Sequence, residues 1–69
     1  MRLSARNIIK GKILKVTKGA TTAHVKIDVG GGTVITASIT NEAVAELKLK
    51  AGEQAYAVIK ASDVMVGKD

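Results

Sequence analysis

Residues 4–7 of the chain read Ser4-Ala5-Arg6-Asn7, placing a hydroxyl, a guanidinium and an amide within four positions. Near the other end, Lys60-Ala61-Ser62 adds an ammonium and a second hydroxyl, and Thr40 stands where an extended run gives way to a helical one. All of these polar side chains donate hydrogen bonds, and two carry positive charge. Such a set suits a small oxyanion, whose oxygens accept charge-assisted N–H and O–H bonds. The segment after Thr40 adds backbone amides of a helix start, which carry partial positive charge. No clear acceptor belongs to the set. Asp63 adjoins Ser62, but neighbours on an extended chain point to opposite faces. Hydrogen phosphate carries a proton near neutrality and needs an acceptor, whereas a fully deprotonated tetrahedral dianion needs only donors. Taken alone, these residues favour a plainer account, with Arg6 solvated, Lys60 snorkelling and Ser62 in a turn.

Charge and composition narrow the field. The 69 residues include 11 Lys+Arg and 6 Asp+Glu, for a net charge of +5. Arg2, Arg6, Lys10, Lys12, Lys15, Lys18 and Lys26 occupy the first 27 residues, which contain no acid. A small basic domain suggests a nucleic-acid partner. Barrel domains that hold single strands, however, stack bases on aromatic side chains, at about 1–3 kcal/mol per base. Tyr56 is the one aromatic residue here, so the lysines either touch phosphates without reading bases or form a solvated strand face. With no Cys and only His24, the chain supplies no zinc finger, iron–sulfur cluster or disulfide. Neither a nucleophile with an orienting base nor a suitably spaced carboxylate pair is evident, so neither enzymatic activity nor a cofactor is expected. Met1 is followed by Arg2-Leu3-Ser4-Ala5-Arg6, without an apolar signal region, and no stretch is long enough to span a membrane. A cytoplasmic protein is expected.

The elements that must position these residues can be read from alternation. Over residues 8–17, Ile9, Gly11 and Ile13 share one parity and Leu14 and Val16 the other, which predicts a bulge or a strand buried on both faces. Residues 22–29 put Ala23, Val25, Ile27 and Val29 on one face and His24, Lys26 and Asp28 on the other. After Gly30-Gly31-Gly32, residues 33–39 alternate again, and the pair reads as a β-hairpin. Thr40 or Asn41 can cap a short helix whose apolar stripe is Val44 and Leu47, with Lys48 and Lys50 at its C-terminal end. Residues 54–61 read as a fourth strand and Val64-Met65-Val66 as a short fifth. The order β-β-β-α-β-β is that of an OB-like five-stranded barrel, all-β with one short helix, in a single domain over residues 1–69. Its core is thin, with seven Ile, eight Val and four Leu but no Phe or Trp. Small domains of this kind commonly compensate by oligomerising, so a homo-oligomer is expected.

Ser4-Ala5-Arg6-Asn7 followed by Lys10-Gly11-Lys12, with Gly30-Gly31-Gly32 mid-chain and Lys60-Ala61-Ser62-Asp63-Val64-Met65 near the end, resembles the molbindins. These are the small molybdate-binding Mop proteins, whose module is also appended to molybdate-responsive regulators and transporter ATPases. The resemblance covers essentially the whole chain. It implies a Mop/TOBE-type barrel assembling into a hexamer, a trimer of dimers, that binds molybdate or tungstate between subunits for storage or homeostasis. Carried over by motif, Ser4, Arg6, Thr40, Lys60, Ala61 and Ser62 contact the anion, and Asn7 either contacts it or braces the loop. A second oxyanion site of the family maps loosely to Lys18, Gly19, Ala20, Thr21 and Thr22, a stretch equally readable as a hairpin turn. The alternatives are a basic OB-like nucleic-acid-binding module and a purely structural oligomerisation module. Molybdate and tungstate are tetrahedral dianions of nearly equal size, and the residues do not separate them.

Overall fold

The alternation of the first strand breaks once, and that break shapes the sheet. A computed structural model describes residues 1–69. In it, β1 (Asn7–Lys18) pairs antiparallel with β2 (Thr22–Gly30). The register slips between Ile13, opposite Ile27, and Lys15, opposite Lys26, so Leu14 is the extra residue of a β-bulge. Before the bulge Ile9, Gly11 and Ile13 face inward; after it Val16 packs on the same core. Without the extra residue, Val16 would share the outer face with Lys10 and Lys12. Leu14 itself is left 47% exposed.

β3 (Thr33–Thr40) returns along β2 through Gly31 and Gly32, since Gly30 and Thr33 are partners. Both loop glycines have positive φ, 61° and 81°, as a two-residue turn matched to strand twist requires. β4 (Gln54–Ile59) pairs with the first half of β1, from Asn7 opposite Ile59 to Lys12 opposite Gln54. The sheet order is therefore β3-β2-β1-β4, all antiparallel and curled into a half-barrel. Its core is Ile13, Ala23, Val25, Ile27, Val44 and Ala57. Gly11 lets β1 and β2 approach closely: a Cβ there would lie 2.6 Å from both the Asp28 carbonyl oxygen and Ile27 Cγ2.

Helix α1 (Asn41–Leu47) starts on Thr40, whose extended backbone leaves Oγ1 accepting the Ala43 N–H at 3.0 Å. At its other end Lys48 is left-handed, with φ 53° and ψ 46°, and the Leu49 N–H reaches back to the Val44 carbonyl at 3.1 Å. That closing turn carries Leu49 into the core beside Val44. Leu47, expected to share the buried stripe, is instead 66% exposed at the open mouth of the half-barrel.

The expected fifth strand does not form. β4 stops at Ile59, and Ala61–Asp63 is a single 3-10 turn held by Asp63 N–H to Lys60 O at 2.9 Å and Val64 N–H to Ala61 O at 3.3 Å. The turn redirects the chain, and Val64, Met65 and Val66 remain 50%, 93% and 94% exposed. Three residues offer too few ladder bonds to offset the entropy of fixing them. With four strands the barrel stays open, and an apolar groove of about 670 Å³ runs between β3 and β4, lined by Ile35, Ala37, Ile39, Ala55 and Ile59 among others.

Gly11→Ala is expected to cost about 1–3 kcal/mol, because the new methyl meets the Asp28 backbone and the buried, β-branched Ile27, neither of which can swing aside. Urea unfolding should show a lower midpoint at unchanged slope, and an unchanged midpoint would mean that β1 and β2 separate freely. Lys48→Gly relieves the left-handed strain and should raise stability by about 0.5–1 kcal/mol, read the same way at fixed protein concentration.

Candidate oxyanion-binding site

The last residues paired between β1 and β4 are Asn7 and Ile59, 52 positions apart in the chain. The Asn7 side chain adds to that pair, Nδ2 donating to the Ile59 carbonyl at 3.1 Å. The ladder ends there, and Arg6 and Lys60 are the next residue of each segment, with Ser4 two residues further along one and Ala61 and Ser62 inside the turn that follows on the other. The two donor segments, at opposite ends of the sequence, are thus brought to one end of the sheet. Ser4, Arg6, Lys60, Ala61 and Ser62 are all exposed there, whereas Ala5 and Asn7 are partly covered. Two cations and two hydroxyls lie within three residues of that last pair. A dianion held between them would offset the repulsion of Arg6 and Lys60.

Thr40 lies elsewhere. It is the partner of Thr22, and β1 ends opposite Ala23, so Thr40 sits at the far end of β1 from Asn7. Within one chain the seven residues of the expected site therefore divide, with Thr40 separated from the other six. Its neighbours are the residues of the expected second site. Lys18 closes β1, Gly19-Ala20-Thr21 forms the β1–β2 hairpin turn, and Thr22 opens β2. Much of the turn's backbone is already engaged: Gly19 N–H donates to Thr22 O at 2.8 Å, and the Gly19 and Thr21 carbonyls accept from Asn41. The Gly19 amide is therefore not free to hold an anion. The Thr40 hydroxyl, although it accepts the Ala43 N–H, keeps its own hydrogen to donate.

Asn41 is the residue whose role the chain order did not announce. Alternation and capping rules offered it only as a second choice of helix cap. Its backbone N–H instead donates to Thr21 O at 2.8 Å and its Nδ2 to Gly19 O at 2.9 Å, tying the hairpin turn to the start of α1. Its Oδ1 is buried with no partner, so this end of the sheet holds a buried, unused acceptor. The signal in the sequence, an Asn directly after a capping Thr, has many other uses.

Lys10, Lys12, Lys15 and Lys26 occupy the outer sheet face. Lys10 lies across from Tyr56, Lys15 across from Lys26, and Lys26 Nζ donates to Thr36 Oγ1 at 3.1 Å. His24 is exposed between Thr17 and Ser38. No three of the His, Asp and Glu side chains converge as a bound cation would need, and no helix is long and apolar enough to cross a membrane.

Comparison with known proteins shows the family. Residues 3–66 match the TOBE domain family. A probable molybdenum-pterin-binding protein of Haemophilus influenzae is 49% identical over 67 residues, covering 97% of each chain. Among solved structures, a molybdate-binding protein from Sporomusa ovata is 34% identical with a TM-score of 0.92, over 99% of this chain and 100% of that one. The cytoplasmic molybdate-binding protein ModG, solved with molybdate bound, is 54% identical with a TM-score of 0.89, over 94% of this chain and 46% of that one. The chain belongs to the TOBE domain family and, within it, to the small Mop proteins, which are binding modules rather than enzymes.

Proposed function

We propose that the protein binds molybdate, and tungstate of the same shape and charge, at sites shared between subunits of a homo-oligomer. The observation that supports this is the last pair between β1 and β4, Asn7 opposite Ile59, from which the segment bearing Ser4 and Arg6 and the segment bearing Lys60, Ala61 and Ser62 both lead off. Relatives that bind molybdate share the whole chain and its fold. Two cations with two hydroxyls beside them suit a small tetrahedral dianion, although Asp63 stands in the same 3-10 turn as Ser62 and not on the extended chain that residue order suggested. Thr40, on the far end of the sheet in its own chain, joins such a site only from a second copy.

Assembly is supported by what one chain leaves uncovered. Only six of its 69 residues are buried, and the exposed large hydrophobics include Ile8, Val34, Leu47, Val58, Val64, Met65 and Val66. The open apolar groove and the unpaired residues 64–66 are surfaces that a second copy would cover. A hexamer built as a trimer of dimers is the assembly proposed, with cytoplasmic molybdenum storage or homeostasis as the role. A relative described as a cytoplasmic molybdate-binding protein supports the compartment.

Thermal unfolding with added anions tests the proposal. Molybdate at about 100 times its dissociation constant should stabilise the protein by about 2.7 kcal/mol. For a domain of this size that raises the midpoint by roughly 10–20 °C. Sulfate and phosphate should raise it much less. Arg6→Ala and Lys60→Ala should each remove most of the rise, and a rise undiminished in both would overturn the site assignment. Native mass spectrometry should show six chains. Salt-sensitive oligonucleotide binding without any oxyanion response would instead make the outer lysine face the working surface.

A further inference from the structure

We propose that Asn7 is a positioning residue of the anion site, a clasp that holds the two donor segments in register without touching the anion itself. This rests on the molybdate proposal and specifies how the site is kept in shape. Asn7 has the parity of Ile9, Gly11 and Ile13, the face that packs on the core, so alternation alone would put an apolar residue there. A partly covered polar group on that face needs a partner, and Nδ2 has one in the Ile59 carbonyl at 3.1 Å.

The place of this bond gives it its effect. Asn7 opposite Ile59 is the final pair between β1 and β4. Beyond it, residues 1–6 belong to no strand, and the chain after Ile59 turns at once into Ala61–Asp63. Strand ends fray at little cost, so the separation of Arg6 from Lys60 depends on what secures the last pair. A side-chain bond there limits fraying where the donors must converge. Exposure alternates through the same stretch, with Ser4 and Arg6 exposed while Ala5 and Asn7 are partly covered. Asn7 is thus turned away from the side on which the donors stand. Preorganised donors bind an anion more tightly than donors that must first be gathered.

The test compares Asn7→Ala and Asn7→Val with the wild type in the full chain. Val keeps strand propensity and cannot donate, so one variant at least should fold and assemble. Calorimetric titration with molybdate should show binding weakened by about tenfold, the scale of one net hydrogen bond. The anion-free thermal midpoint of Asn7→Val should stay within a few degrees of wild type. Hydrogen exchange without anion should quicken at the Asp63 and Val64 amides, which are bonded within the turn after Lys60. Unchanged exchange with weakened binding would make Asn7 a direct ligand and overturn the clasp. Unchanged affinity, with only the midpoint lowered, would make it a general stability residue and overturn it equally. A wild-type chain that ignores molybdate overturns the functional proposal together with the clasp. Wild-type binding lost in Arg6→Ala but intact in both Asn7 variants overturns the clasp alone.

Discussion

β1 pairs with two strands in turn, and the rest of the molecule depends on how it is divided between them. Its first six residues carry β4 and its second half carries β2, with Leu14 as the extra residue between Ile13 and Lys15. A strand that keeps one face inward through such a change of partner must either twist sharply or bulge. The bulge returns Val16 to the core and leaves the lysines on the outside. Gly11 lets β2 come close enough for the sheet to curl. From that division follow the half-barrel, its open groove and the two chemically distinct ends.

The electrostatics follow the same line. Seven cations and no acid lie in the first 27 residues, most of them on β1 or just before it. Where they lie along the outer face, as at Lys15 opposite Lys26, they repel one another mildly and water screens them. At the Arg6–Lys60 end the two charges come from segments that β1 and β4 hold together. There the proposed dianion would do what dilute counterions do elsewhere.

Most of the local structure was legible in the order of residues. The parity switch at Leu14 allowed a bulge or a strand buried on both faces, and the bulge is what forms; the glycine triplet announced a hairpin turn, and Thr40 or Asn41 the start of α1, which Thr40 caps. Where the structure departs from that reading, a local turn decides. Val44 and Leu47 lie three apart, yet the left-handed turn at Lys48 brings Leu49 to the core and leaves Leu47 exposed. Val64-Met65-Val66 alternates like a strand, yet the turn at Ala61–Asp63 takes it away from the sheet. The distance of Thr40 from Ser4 and Lys60 within one chain comes from the pairing of β3 with β2, which residue types do not encode. Asn7 and Ile59 meet across 52 positions, and no local pattern encodes such a contact. The chemistry was visible in the residue types; its partition between two ends was not.

The length of β1 also sets a distance. From Asn7 to Lys18 there are eleven steps, about 36 Å of extended chain, in a molecule whose longest axis is 35 Å. One strand therefore runs the full length of the subunit, with Arg6 leading into it and the turn beside Thr40 leaving it. The Arg6–Lys60 end and the Thr40 end of one chain therefore stand about a full molecular length apart. Lengthening β1 by two residues would keep every side chain on its face and yet move those ends apart by about 7 Å. The strand's residue count thus sets how far one chain holds its two chemically distinct ends from each other.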